Sequence, residues 1–181
     1  GATDVAMEVS SHGLSQGRVT GVAFDTALFT NLSRDHLDYH KTIDRYKSEK
    51  RRLFFVDTLK TAVINSDDAF GKNLITQLDR SRVRIISYGK KTGDIRCHRI
   101  EYDKLGMQLH LDTSWGKTAI KTTIIGDHNV YNILGVFGVL IAKGLNIEAV
   151  SAALSSCKAI EGRMQAIRVF GMPLVVVDYA H

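Results

Sequence analysis

The spacing of hydrophobic positions changes several times along the chain, and each change predicts an element. Short apolar runs of strand length occupy residues 3–9, 23–31, 61–65 and 82–88. Apolar positions that recur at spacings of three and four predict helices over residues 42–59, 67–78, 129–143 and 147–157. Because strands and helices alternate, the sequence predicts an α/β fold with a mostly parallel sheet flanked by helices.

A period of two replaces this pattern between residues 93 and 125. Met107, Leu109 and Leu111 alternate with polar residues, and turn-forming residues occupy positions 103–106 and 114–117. We therefore expect an antiparallel meander attached to the main sheet. In the helix that follows, Gly135 and Gly138 predict close packing against another element.

The two ends of the chain predict its division into domains. Beyond Gly162, apolar runs over residues 164–170 and 174–178 predict the start of a second α/β domain. We assign residues 1–162 to a central domain and residues 163–181 to the beginning of the second one. Both chain ends lie directly beside predicted strands, whereas termini usually fray outside a core, so we expect a segment of a longer protein.

Composition and charge argue against several classes of protein. The 181 residues carry a net charge of +5, but bases alternate with acids and no basic stripe contains interleaved aromatic residues. This pattern argues against nucleic-acid binding and favours a cleft for a small anion. Cys97 and Cys157 are far apart without metal-binding spacing, which indicates a reducing, cytoplasmic environment. No apolar run reaches transmembrane length, so we expect no membrane insertion.

The helix predicted over residues 42–59 carries a lysine on its apolar face. Thr42 is the expected N-cap, and Tyr46 and Phe54 share the face of Lys50. An unpaired buried ammonium is costly, so Lys50 indicates a site beside the acids and histidines of residues 31–40. The alternative is that its stem follows the apolar face while its tip reaches water.

Two histidines of that segment, His36 and His40, are four residues apart. On a helix, this spacing allows two histidines to bind one metal ion together. The alternative is that residues 39–42 form the loop that enters the next helix, in which case the two histidines do not share a metal.

Polar residues occur near the ends of three predicted strands. Glu8 lies near the end of the first, Asn31 ends the second, and Asp178 ends the last. In open parallel sheets, ligands bind outside the carboxyl ends of the strands. We expect Glu8 to be half buried, and such a carboxylate would need a cation or a hydrogen-bond donor.

Two amides begin the helix predicted over residues 129–143. Asn129 and Asn132 share a helical face with Val136 and Leu140, so we expect both amides to point inward. A helix N-terminus is a natural anion site, which favours contact with a ligand. The alternative is that each amide satisfies buried backbone groups.

Three glycine–lysine pairs match part of the phosphate-loop motif, at residues 71–72, 89–90 and 116–117. None has the glycine that the motif requires five positions earlier, so none is a phosphate loop. The pair at 116–117 is expected in a hairpin turn. Any loop that holds nucleotide phosphates would therefore lie outside this chain.

Six short motifs, taken in order, resemble those of the Mur ligases. These ATP-dependent enzymes add amino acids to the peptide of the peptidoglycan precursor. The motifs occupy residues 6–14, 30–40, 46–50, 126–132, 162–164 and 177–181. Within the family, the chain is most similar to the tripeptide synthetases, the MurE type. The resemblance implies the P-loop-type central domain of this family without its phosphate-loop part.

Carried over residue by residue, the resemblance implies roles for particular side chains. Glu8 and His36 match magnesium-binding positions, and Lys50 matches a lysine that reacts with carbon dioxide to give a metal-binding carbamate. Ser10, Gln16 and Arg18 match contacts to the UDP-muramoyl substrate. The positions that match nucleotide contacts are Asn129, Asn132, Arg163 and Asp178.

The reaction that the resemblance implies needs ATP, Mg²⁺, UDP-MurNAc-L-alanyl-D-glutamate and an amino acid. ATP phosphorylates the terminal carboxylate of the precursor, and the amine of meso-diaminopimelate or L-lysine attacks the acyl phosphate. We expect the protein to be a monomer and this segment alone to be inactive. The alternatives are a related ligase, such as a folylpolyglutamate or cyanophycin synthetase, and a non-catalytic binder of nucleotide or muramoyl precursor on the same fold.

Overall fold

The computed structural model describes residues 1–33, 37–104, 106–162, 164–167, 173 and 175–179. The helices are α1 (Ser11–Ser15), α2 (Leu37–His40), α3 (Ile43–Arg52), α4 (Ala69–Gln77), α5 (Asp127–Ala142) and α6 (Ile147–Ser156), and a 3₁₀ turn (Leu53–Phe55) follows α3. The strands are β1 (Thr26–Phe29), β2 (Thr61–Asn65), β3 (Arg84–Gly89), β4 (Ile95–Tyr102), β5 (Met107–Thr113), β6 (Gly116–Thr122), β7 (Gln165–Ile167) and β8 (Val175–Val177).

The first six strands form one sheet in the order of the chain, from β1 to β6. Strands β1 to β4 run parallel, and β5 and β6 add an antiparallel meander beside β4. Strands β7 and β8 pair antiparallel in a separate two-stranded sheet. The prediction of a mostly parallel sheet with helices and an attached meander is therefore confirmed.

Apolar clusters cover both faces of the parallel part of the sheet. One cluster joins Val63 of β2 to residues of α5, α6 and the meander. The other joins Ala62 and Ile64 to Phe54 and to Leu74 of α4. Because successive side chains of a strand point to opposite faces, β2 is buried on both sides, as expected of an inner parallel strand.

The prediction of a strand over residues 3–9 is wrong. These residues form no strand, and 83% of Val5 and 52% of Met7 are exposed. Among the described strands β1 pairs only with β2, so no neighbouring strand takes the backbone hydrogen bonds of this segment. For the same reason Glu8 is exposed and not half buried.

The helix predicted over residues 42–59 is shorter than expected. Thr42 caps its start, with its hydroxyl accepting from the Arg45 N–H at 3.2 Å. The α-helix ends at Arg52, and the backbone is extended again at Val56. None of the described helices combines the length and the apolar character that crossing a membrane requires.

Candidate functional site

The carboxyl ends of β1, β2 and β3 meet at one edge of the sheet because these strands are parallel. The Asn65 amide at the end of β2 donates to the Thr30 carbonyl oxygen at 2.7 Å. Its oxygen accepts from the Asp67 N–H at 2.9 Å. This side chain therefore ties the segment after β1 to the segment after β2.

Two carboxylates follow Asn65 along this edge. Asp67 accepts from the Lys90 N–H at 2.7 Å and from the Tyr131 hydroxyl at 3.1 Å. Asp68 caps α4, accepting from the Gly71 N–H at 3.0 Å, and it also accepts from the Leu32 N–H at 3.1 Å. The pair thus holds three loops of the edge in place.

Sequence reasoning did not single out Asp67 or Asp68. The signal was present, because both lie within three residues of the end of the fully buried strand β2. The rule that singled out Asn31, namely polar groups at a strand end, applies to them equally.

Lys50 lies on α3, half-buried and on the same side as the buried Tyr46 ring. Its Nζ is 5.4 Å from the centroid of that ring. Burial lowers the pKa of Lys50 below its usual value, and the Glu8 and Asp68 carboxylates partly oppose this shift. The lysine therefore has two carboxylates in its surroundings and a larger neutral fraction than an exposed lysine.

His40 is buried, with 4% of its surface exposed. A 2.9 Å hydrogen bond joins its Nε2 to the Ser11 hydroxyl, and its ring stacks on Tyr46 with centroids 5.3 Å apart. His36 lies outside the described residues. Within the part of the chain that the structure describes, no three His, Cys, Asp or Glu side chains are grouped so that they could hold a metal ion.

The candidate substrate contacts cluster around α1. The Ser10 hydroxyl caps this helix by accepting from the Gly13 N–H at 3.0 Å, and Gln16 ends it. The Gln16 amide donates to the Tyr39 hydroxyl at 3.4 Å. Ser10, Gln16 and Arg18 are all exposed, so their polar groups are open to a ligand.

The prediction that both amides at the start of α5 point inward is wrong for Asn132, whereas Asn129 is partly buried. Asn132 is exposed, and Val136 on the same face is 41% exposed. The buried side of α5 is formed by other positions, among them Leu134 and Phe137. Asn129 donates to the Ile125 carbonyl oxygen at 2.7 Å, as the backbone alternative predicts, and Asn132 donates to the Asn129 side-chain oxygen at 3.1 Å.

The start of α5 is joined to the edge of the sheet. Asp127, in its first turn, forms a 2.6 Å ion pair with Lys90, which follows β3. The Lys90 Nζ also lies 5.5 Å from the centroid of the Tyr131 ring. The amides at the start of α5 are therefore placed beside the edge that carries Asp67.

The remaining predicted positions include Asp178, Arg163 and the glycine–lysine pairs. Asp178 follows β8 and accepts from the Met164 N–H at 3.3 Å. Arg163 lies outside the described residues. The pair at 116–117, expected in a hairpin turn, instead begins β6 directly after the two-residue turn at 114–115. The other two glycine–lysine pairs lie in α4 and at the end of β3.

The structure thus places Glu8 and Asp68 within electrostatic range of Lys50, and α1 packs against α3, the helix of Lys50. It places the α5 amides farther along the same edge and Asp178 on the two-stranded sheet. A lysine whose pKa is lowered by burial is a better nucleophile than an exposed lysine, and carboxylate oxygens suit hard divalent cations.

Comparison with known proteins gives a family match and close relatives. A family model described as the Mur ligase middle domain matches residues 1–140. A UDP-N-acetylmuramoyl-L-alanyl-D-glutamate–2,6-diaminopimelate ligase of Chromobacterium violaceum is 44% identical over 181 residues. The ligase with the same name from Neisseria meningitidis is 44% identical over 184 residues. Each alignment covers the whole chain but only 37% of the relative.

Solved structures agree with this match. One of a UDP-N-acetylmuramoyl-L-alanyl-D-glutamate–2,6-diaminopimelate ligase is 36% identical with a TM-score of 0.84, covering 96% of this chain and 36% of that one. The UDP-N-acetylmuramate–alanine ligase MurC of Thermotoga maritima is 22% identical with a TM-score of 0.70, covering 88% of this chain and 35% of that one. The second likeness shows the shared fold alone.

Proposed function

The chain belongs to the Mur ligase family through its middle domain, and from this membership we propose that it forms the central part of an ATP-dependent ligase. The proposed reaction joins 2,6-diaminopimelate to UDP-N-acetylmuramoyl-L-alanyl-D-glutamate in peptidoglycan synthesis. The names of relatives that are 40–44% identical over the whole chain support this choice of amino acid. In this proposal residues 1–162 form the central domain, and β7 and β8 begin the next one.

The observation that carries the proposal is the environment of Lys50. Burial lowers the pKa of this lysine, so more of it is neutral than in an exposed lysine. A neutral amine attacks carbon dioxide, the new N–C bond forms, and a proton leaves to give a carbamate. The change replaces a cation that is costly to bury with an anion.

The donor set would suit magnesium once Lys50 carries a carbamate. Glu8 and the Lys50 carbamate offer the oxygen ligands that this ion prefers, and His36 would complete the set. An ion held by these residues would neutralise negative charge where ATP and a substrate carboxylate meet.

The other residues would bind and orient the two substrates. Ser10, Gln16 and Arg18 are exposed around α1 and would hold the UDP-muramoyl precursor. The nucleotide would be held by Asn129, Asn132, Arg163 and Asp178. Orientation matters because the terminal carboxylate must lie in line with the γ-phosphate before the acyl phosphate can form. The distant cysteines support a cytoplasmic location.

Replacing Lys50 with Ala in the full-length ligase tests the proposal. We expect turnover to fall at least about 100-fold, the size of loss that follows removal of one preorganised charge contact. The matched control is Lys47→Ala, which removes a lysine of the same helix whose side chain is 41% exposed and pairs with Asp44. Its turnover should stay within about twofold of the wild type, because surface substitutions perturb little.

Removal of carbon dioxide distinguishes a carbamate on Lys50 from a role of the unmodified lysine. In buffer depleted of bicarbonate, wild-type turnover should fall and then recover on addition of bicarbonate. Labelled ¹³C-bicarbonate should give a carbamate carbon signal in the wild type and none in Lys50→Ala. Full activity without bicarbonate would refute the carbamate.

A further inference from the structure

A buried polar group lies between α1 and α3 and has no part in the proposed chemistry. It consists of Ser11, His40 and Tyr46, whose exposed fractions are 2%, 4% and 3%. The hydrogen bond between the His40 Nε2 and the Ser11 hydroxyl is 2.9 Å long. Burial of this pair is costly unless both polar groups are satisfied, so each side chain fixes the position of the other.

Helix α1 depends on such contacts for its position. It has five residues, far below the length at which an isolated helix is stable in water. Its N-cap Ser10 and its C-cap Gln16 are candidate substrate contacts. The placement of these two side chains therefore depends on what α1 packs against.

The neighbouring residues of α2 and α3 provide that support. The His40 ring lies 5.3 Å from the His12 ring of α1, and the Tyr39 ring lies 4.1 Å from it. Arg52 of α3 donates to the Leu14 carbonyl oxygen at 3.2 Å. Of these contacts, the bond from His40 to Ser11 is the buried polar one.

The other side of His40 faces the helix of Lys50. Its ring stacks on Tyr46 with an interplanar angle of 26°. The Lys50 Nζ lies over the same Tyr46 ring, at 5.4 Å from the centroid. A continuous series of contacts therefore runs from Ser11 through His40 and Tyr46 to Lys50.

We propose that His40 is a positioning residue that sets the place of α1, and with it the muramoyl-precursor contacts, relative to Lys50. The inference rests on the proposed function and adds to it a residue that touches neither substrate. Loss of the hydrogen bond would let α1 shift while Lys50 stays on α3. Precursor binding would then weaken, and the affinity for ATP would stay unchanged.

The test measures binding and turnover in the full-length ligase. His40→Phe keeps a ring to stack on Tyr46 but loses the hydrogen bond, and Ser11→Ala removes the bond from the other side. We expect each to raise the dissociation constant for UDP-MurNAc-L-alanyl-D-glutamate about tenfold, the loss expected for one buried hydrogen bond. The measurement is calorimetry without ATP, and the KM for ATP should stay within about twofold.

If both substitutions act by removing the hydrogen bond between His40 and Ser11, their effects on precursor binding should not add. The double variant His40→Phe with Ser11→Ala should bind no more weakly than either single variant, because each removes the same interaction. His40→Gln, which retains a hydrogen-bonding group, should recover most of the affinity. The control His98→Phe makes the same exchange at an exposed position of β4 and should bind like the wild type.

Three outcomes would overturn the inference. Unchanged precursor affinity in Ser11→Ala and in folded His40→Phe, even with a lower melting temperature, would show a purely structural role. An equal loss of precursor and ATP affinity would show general damage. A wild-type protein that neither binds the precursor nor turns over would refute the proposed function itself, and this inference with it.

Discussion

The Lys50 ammonium destabilises the fold that holds it. Burial lowers its pKa below the ordinary 10.5 despite the opposing Glu8 and Asp68 carboxylates. A base with a lowered folded-state pKa binds fewer protons when folded than when unfolded. Stability therefore rises as the pH climbs from the lowered pKa towards 10.5, and the cost is fully present below that interval.

Lys50→Met should reveal this cost, because methionine fills similar space without a charge. In bicarbonate-free buffer we expect the variant to melt at a higher temperature than the wild type at pH 7. The advantage should shrink as the pH approaches 10.5. Scanning calorimetry at pH 7 and pH 10 measures both effects. The control Lys47→Met, at a position whose side chain is 41% exposed, should change stability by no more than about 0.5 kcal/mol.

A constant advantage of Lys50→Met over this pH range would show that lost contacts, and not the charge, set the difference. A lower melting temperature of the variant at pH 7 would show that the pairing of Lys50 with Glu8 and Asp68 outweighs its burial.

Single residues also show where sequence reasoning is strong and where it fails. The Thr42 cap and the partly buried position of Lys50 follow from local spacing, which α3 obeys. The direction of the two amides, Asn129 and Asn132, does not follow from local spacing. Their predicted direction depends on Val136 being buried, because that residue is apolar, yet Val136 is 41% exposed. The described surface contains many apolar side chains, so one valine does not define a buried face.

At the scale of elements, sequence patterns predict a helix or strand correctly where its hydrophobic period is regular or its pairing partner is adjacent in sequence. The meander was predicted because hairpin neighbours follow each other in sequence, and α5 because its period extends over 16 residues. The segment over residues 3–9 has an apolar pattern too, but a strand exists only with a partner. Apolar pattern alone does not specify that partner.

The packing of α5 on the sheet gives a prediction for Gly138. A Cβ at this position would lie 2.6 Å from the Cγ1 of Val63, which is fully buried and stiff at its branched carbon. Gly138→Ala should therefore destabilise the protein by about 1–3 kcal/mol, the cost of overpacking, although alanine is the better helix former. Urea unfolding followed by circular dichroism measures the loss.

Val136→Ala on the outer face of the same helix is the control. It removes a side chain that is 41% exposed, so its effect should be small, at most about 0.5 kcal/mol. Stabilisation by Gly138→Ala would mean that α5 can move away from β2 at little cost, and that the close contact does not hold the helix.

At the scale of the whole molecule, both apolar clusters lie on the six-stranded sheet. The two-stranded sheet of β7 and β8 belongs to neither of them, and its Val175 and Val176 are exposed. The edge that carries Asp67 and Asp68 is thus built on the more strongly packed part of the chain. Sequence patterns predicted the main sheet and the start of a second domain after Gly162, but not this difference in packing, because it depends on which faces are covered.

Two matched truncations test where the stability resides. Ile64 of β2 is fully buried against Phe29, Phe54 and Leu74, so Ile64→Ala should cost about 2–5 kcal/mol. Val176→Ala removes a smaller, 42% exposed side chain from β8 and should cost at most about 0.5 kcal/mol. Both are measured by urea unfolding of the 181-residue chain. Similar losses of unfolding free energy in the two variants would show that the two sheets unfold as one cooperative unit. The side chain in β8 would then contribute as much as the one in the inner strand β2, contrary to their difference in burial.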